Sequence, residues 1–424
     1  MDAPSLRLTP FKLRSELRYP FEFLWLIGLV FFLPLFEAPK NLCWLGYVLT
    51  WLYNRFRARE WGGPWDRWDG LIALWIASGY LVAAFAGIHH DEWWEANDLL
   101  RYGSVLWLLR RSRYDERALL WILGTVITGT LITLLWGYWR VYVAKTNGTL
   151  GLNSVGHVNH SAIYMGIVFG AALSLLLAYW GRIRITGRVT LGLAVTALIV
   201  SVFVTESRAA VGAAVLFPLV LIVVLGVRRR IDALKSALIA LLGIAIVLAA
   251  LPGVLDKTID RTERGIAFSF RDKIWANAVV EWRRFPLLGV GMGNFGRVSL
   301  EQLQEWNTTQ NWSVRASVEG MNSHAHSLYM NALAERGLVG LGVLIAVLLA
   351  WGGTLLRGVP RGPDPPLDWA LFGAALAGWL ITVVVGFFNT TLHHEHGIVS
   401  VLLFGLWLSH RAARVQPDRT PPQL

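Results

Sequence analysis

Long apolar runs separated by short arginine clusters constrain this chain more than any other feature. Runs long enough to approach or cross about 30 Å of hydrocarbon, at 1.5 Å per residue, lie near residues 20–36, 41–54, 70–88, 97–109, 118–139, 158–180, 188–204, 208–227, 234–255, 336–356, 368–387 and 397–410. The second, fourth and twelfth are short. Lipid offers no partner for backbone N–H and C=O groups, so apolar runs of this length must be α-helices. The expected fold is therefore an all-α polytopic membrane protein with about twelve transmembrane helices. Composition agrees, with 55% hydrophobic residues against 16% charged, and a soluble multidomain reading is excluded. The 22 tryptophans fit a bilayer protein, because an indole with one polar edge sits well at the headgroup level. Trp25, Trp44, Trp51, Trp107, Trp136, Trp139, Trp180 and Trp351 all border apolar runs.

Lys and Arg collect in alternate connections: Arg55, Arg57, Arg59 and Arg67; Arg110, Arg111, Arg113 and Arg117; Arg182, Arg184 and Arg188; Arg228 to Arg230 and Lys235; Arg357 and Arg361; Arg411, Arg414 and Arg419. These read as cytoplasmic, and both termini with them. The net charge of +11 is thus topological and does not mark a nucleic-acid partner. Basic residues Arg7, Lys12, Arg14 and Arg18 precede the apolar stretch Phe21 to Phe36 without a small-residue cleavage site, which reads as an uncleaved first helix. The division that follows is nine membrane helices over 1–255, a large outer loop over 256–335, three helices over 336–410 and a tail over 411–424. Cys43, the single cysteine, lies in an apolar run and can form neither an internal disulfide nor a thiolate cage.

With sides assigned, His89, His90, His157, His160, His324, His326, His393, His394 and His396 all fall at the outer face, and His410 does not. Chemistry near neutral pH is expected there. In the loop, Ile274, Trp275, Ala278, Val279 and Trp282 mark the apolar stripe of an amphipathic helix ended by Pro286. Gly289, Gly291, Gly293 and Gly296 follow, as a tight turn or a phosphate cradle. No strand precedes them, as a dinucleotide fold would require.

Four places could carry chemistry. Glu206 and Arg208 interrupt an apolar hairpin at the outer surface, where Arg208 is either a snorkelling or paired cation or a planar fork for a phosphate or carboxylate. The loop cations Lys257, Arg261, Arg264, Arg271, Lys273, Arg283 and Arg284 read mostly as a solvated face. Arg271 differs because it opens the amphipathic helix, at an end that favours anions. His326 falls at the first turn of the tenth membrane helix, with Tyr329 and Leu333 on the same face, while His324 should point elsewhere. His393, His394, Glu395 and His396, with His157 and His160, are good ligand types in no firm metal pattern; they read as a polar rim, with no metal and no other cofactor expected. No Asp-x-Asp pair occurs on a cytoplasmic connection, which disfavours a metal-held nucleotide sugar.

The SRAA hairpin at Arg208, the RDKIW and PLLGVGMGNF segments and HSLYMNALAERGLVG together resemble the O-antigen ligase and polymerase superfamily over about residues 200–345. His326, Ser327, Gly337 and Gly340 fill the places of the ligase signature. The resemblance implies a glycosyltransferase of GT-C-like architecture in a bacterial inner membrane, its loop and active site facing the periplasm. It implies transfer of a glycan from undecaprenyl diphosphate to a sugar of lipid A core, with inversion and without metal. On that reading Arg208 and Arg271 clamp the diphosphate, His326 is the base, and Arg264, His324 and Tyr329 contact substrate. Two alternatives stay open: a protein O-oligosaccharyltransferase using the same donor, and a lipid-linked glycan flippase. A flippase predicts repeat-related halves and mid-membrane ionisable groups, whereas here charges gather at the outer edge.

Overall fold

The computed structural model describes residues 18–90, 92–227, 270–310 and 316–415. These residues form thirteen α-helices, with no strand among them: α1 Pro20–Phe32, α2 Glu37–Ala58, α3 Arg67–Ala84, α4 Glu92–Arg111, α5 Glu116–Tyr138, α6 Val158–Tyr179, α7 Ile185–Val204, α8 Arg208–Val227, α9 Arg271–Arg284, α10 Leu300–Thr309, α11 Leu328–Arg357, α12 Pro366–Val385 and α13 His394–Val415. Six described helices are long and apolar enough to cross a membrane: α5 with its π-helical extension, α6, α7, α8, α11 and α12. That is fewer than the twelve runs expected. The run expected at 234–255 lies outside the described residues. The helices over the other expected runs either are short, as α1 is at 13 residues, or extend past the run into charged residues that the fold pairs inside itself, as with Arg55 on Glu22 (3.3 Å) and Lys40 on Glu395. The chain is a multi-pass helical membrane protein.

Sequence-local signals start several helices. Asp66 accepts from Trp68 N and Asp69 N at the start of α3, and Asp69 returns a bond to Asp66 N, a reciprocal cap. Asp69 also receives Arg110 (2.6 Å) and Arg111 (2.7 Å) from the end of α4. Asp368, opening α12, holds His410 (2.6 Å) and Arg414 from the end of α13. These links define one end of the bundle, where the arginines collect. Tyr179 at the end of α6 donates to Glu116 at the start of α5 there (3.0 Å). At the opposite end Tyr138 meets Ser201 (3.0 Å), joining the ends of α5 and α7, so α8 begins at that second end.

Helix α6 is buried almost throughout, and its main partner is α12. Their approach depends on small residues. A Cβ on Gly170 would lie 2.4 Å from Ala377 Cβ, and one on Gly373 would lie 2.3 Å from Ser174 Oγ, the small-on-small contact by which lipid-embedded helices pack.

Helix α11 is broken at Gly337, whose φ of 59° and ψ of −160° are open in practice only to glycine. A continuous helix would bond Leu338 to Ala334 and Val339 to Glu335. Instead the segment after α9 threads through the gap. Leu338 N and Val339 N donate to Pro286 O (2.9 Å) and Leu287 O (3.1 Å), while Ala334 O and Glu335 O accept from Val290 N (2.9 Å) and Gly291 N (3.0 Å). The four backbone groups of these two lost bonds are thereby satisfied, as burial requires. The threading also explains the glycine-rich stretch: Gly289 has φ +70°, and a Cβ there would lie 2.4 Å from the Glu335 carbonyl carbon. The turn expected at these glycines is present, and its backbone is spent on α11.

A candidate active site at the histidine end

Three segments distant in sequence converge at the second end of the bundle. Helix α6 opens with His157 as its N-cap, its Nδ1 accepting from Asn159 N (3.2 Å), and places His160 one turn further in. The segment before α11 is tied down from both sides: Ser327 caps α11, Leu328 N donates to Gly386 O (2.8 Å), and Ala325 N donates to Asn331 Oδ1 (2.9 Å). Helix α13 opens with His394 in the left-handed region (φ 45°). Here Glu395 meets Lys40 and accepts from Ser154 (2.9 Å), and His396 Nε2 meets Thr390 O (2.9 Å).

The rings form a continuous cluster. His160 lies 5.8 Å from His324, 5.6 Å from His393 and 5.0 Å from His396, between centroids. His393 touches His394 (3.6 Å), and His324 touches His326 (4.4 Å). The sequence suggested that the 157–160 and 393–396 groups could meet, and they do. Among the described residues no three His, Cys, Asp or Glu side chains converge closely enough to hold a metal ion. His89 stands apart, on Glu92 at the start of α4 (2.9 Å), and His410 is at the far end.

His326 precedes the α11 cap with φ +46°, so it stands before the first turn and not within it. Burial first, then the charge of Arg271, holds its imidazole below the usual histidine range, opposed by a hydrogen bond to the Asn389 side chain. Burial and the neighbouring His326 push His324 down to about 4, and burial lowers His393 well below its ordinary value. These rings are neutral at pH 7, with nitrogen lone pairs available. His326 Nδ1 has no hydrogen-bond partner in the protein.

Arg271 opens α9 as expected, and its Nε donates to Phe388 O (3.0 Å), on the turn that carries Asn389. It therefore stands beside His326. The apolar stripe of α9 is rotated from the expected one: Ile274, Ala278 and Val280 are buried, with Asn277 and Glu281, whereas Trp275 and Trp282 are only half-buried. Ile274 and Ala278 pack with Phe295, Ala325 and Ala334. Arg208 opens α8, which packs on α6 and α12, and so lies at the same end of the bundle. Tyr329 faces α12, its hydroxyl donating to Val383 O (2.9 Å) and its ring against Phe387. Arg264 lies outside the described residues. His324, expected to point away from His326, is in ring contact with it.

Beneath the cluster lies a cavity of about 540 Å³ between α3, α4, α6, α11 and α13, within the range of small-molecule sites. Its walls include residues that the sequence did not single out, among them Trp75, Asn331, Glu335, Arg336 and Thr390. One signal was legible: Glu335 and Arg336 are charged residues at the edge of an apolar run, where charge is costly unless used.

Fold and site together define a multi-pass membrane protein with a polar, histidine-lined chamber at one end of its helices. Residues 192–345 match the O-antigen ligase family model. The matched stretch holds Arg208, Arg271, His326 and the break in α11 at Gly337. No curated protein matches the chain.

Proposed function

We propose that the protein is an O-antigen ligase that transfers a glycan from undecaprenyl diphosphate to a sugar of lipid A core. The reaction runs at the periplasmic face of the inner membrane, with inversion and without metal, on a GT-C-like scaffold. The observation that carries this reading is the neutral His326 next to Arg271, within a stretch that matches the ligase family. The acceptor hydroxyl oxygen attacks the anomeric carbon from the face opposite the leaving group. The bond from that carbon to the diphosphate oxygen breaks, and the hydroxyl proton passes to His326, whose open nitrogen is Nδ1. Such base assistance is worth about 10² to 10⁴ in rate. The diphosphate leaves as a stable anion and needs charge stabilisation more than a proton, which Arg208 and Arg271 supply from fixed positions.

The test is transfer by purified protein from lipid-linked glycan to lipid A core. His326→Ala should lower turnover about a hundredfold or more while donor binding and protein level persist. In the wild type, activity should fall as pH drops through the depressed His326 pKa, so the midpoint of the acid limb lies below 6.5. Near-normal turnover by His326→Ala rejects the base assignment.

A further inference from the structure

Six buried polar atoms without a hydrogen-bond partner in the protein belong to side chains that line this cavity: Trp75 Nε1, His324 Nε2, Arg336 Nη1, Thr390 Oγ1, His393 Nδ1 and Glu395 Oε2. Trp75, Arg336, Thr390 and Glu395 are 1%, 6%, 3% and 2% exposed. The site runs deep. Trp75 is nine residues from the end of α3 at Ala84, or about 13 Å along the helix axis, so the chamber reaches about halfway down that helix. Buried polar groups are otherwise paired in proteins, and unpaired ones are costly.

The set is chemically mixed. Trp75 Nε1 and Arg336 Nη1 can only donate, Glu395 Oε2 accepts, and the threonine and histidine atoms can do either. An anion would satisfy Arg336 but face Glu395, with Glu95 and Asp98 also in the wall; a cation would face Arg336; an apolar group would satisfy none. Hydroxyl groups, which donate and accept at once, satisfy the whole set. The cavity also adjoins the candidate base, because His324 in its wall touches His326, whose other neighbour is Arg271, assigned to the donor.

We infer that the cavity is a saccharide subsite that holds the acceptor sugar, with Trp75, Arg336, Thr390 and Glu395 binding its hydroxyls. The inference rests on the proposed ligation for the identity of the sugar as the acceptor's. It is tested on the full chain in lipid nanodiscs by calorimetric titration with core oligosaccharide released from lipid A, and separately with glycan released from undecaprenyl diphosphate. Trp75→Phe and Thr390→Val each remove a polar atom at nearly constant shape. Each should weaken core oligosaccharide binding about three- to tenfold, with unchanged melting temperature and unchanged donor-glycan binding. Unchanged affinity in both variants, or no binding by the wild type, overturns the subsite. Loss confined to the donor glycan overturns its assignment to the acceptor. Binding is read without turnover, so a failure of the ligase reading would show separately, as a wild-type protein that binds saccharide but transfers none.

Discussion

Arg271 and His326 act through the groups around them more than through their own type. Arg271 spends its Nε on the Phe388 carbonyl, which ties the guanidinium to the turn that carries Asn389. Arg208, at the first position of α8, is assigned the same anion from another element. A lysine there keeps the charge but loses the planar two-point fork, so Arg208→Lys should cost roughly tenfold or more in transfer while the protein inserts and folds normally. Full activity in Arg208→Ala would remove the arginine from the diphosphate clamp. His324 cannot serve as the neutral comparison for His326 that its place in the sequence suggested, because the two rings are 4.4 Å apart. A left-handed residue at 326, ahead of the helix, brings the side chains together where a regular helix would have parted them.

At the level of elements, the broken α11 is the central device. It lets the segment behind α9 enter the bundle, and it turns the Arg336 side chain back over Gly340, where a Cβ would lie 2.1 Å from Arg336 Cβ. Both glycines of the signature thus have a steric reason. At Gly337 a Cβ would lie 2.3 Å from the Leu287 carbonyl carbon, a backbone atom that cannot swing away. Gly337→Ala should therefore destabilise the protein by roughly 3 kcal/mol or more, combining backbone strain with a forced shift of the threaded segment. Gly342, on the same helix with nothing within 4 Å of a Cβ, is the control; alanine there should be neutral or stabilising by up to about 1 kcal/mol. Thermal unfolding of the two variants compares them directly, and equal melting temperatures would mean that the threading is not needed for stability. The GVGMG stretch was legible as a turn. Its partner was not, because the hydrogen bonds join residues about fifty positions apart, and no local pattern encodes that pairing.

For the whole molecule, the two ends differ in charge and chemistry, one rich in paired arginines and the other in histidines. If the arginine end faces the cytoplasm, a cysteine at Gln304 should react with an impermeant maleimide in intact spheroplasts, and one at Gly181 should not, in a Cys43→Ser background. Both sites are exposed, and Gly181 has open space for a side chain. The reverse pattern would invert the topology and move the proposed reaction to the wrong side of the membrane. By itself the sequence determined that the chain is helical, that it lies in a membrane and where its arginines and histidines divide. Each of those follows from local facts, since a lipid-exposed backbone must bond within its own segment and charge must sit outside the apolar run. Tertiary structure decided which of those residues meet. Trp75 in one apolar run, Arg336 at the edge of another and Thr390 in a turn are ordinary in their own surroundings. They become the wall of one chamber only because helix packing brings them together.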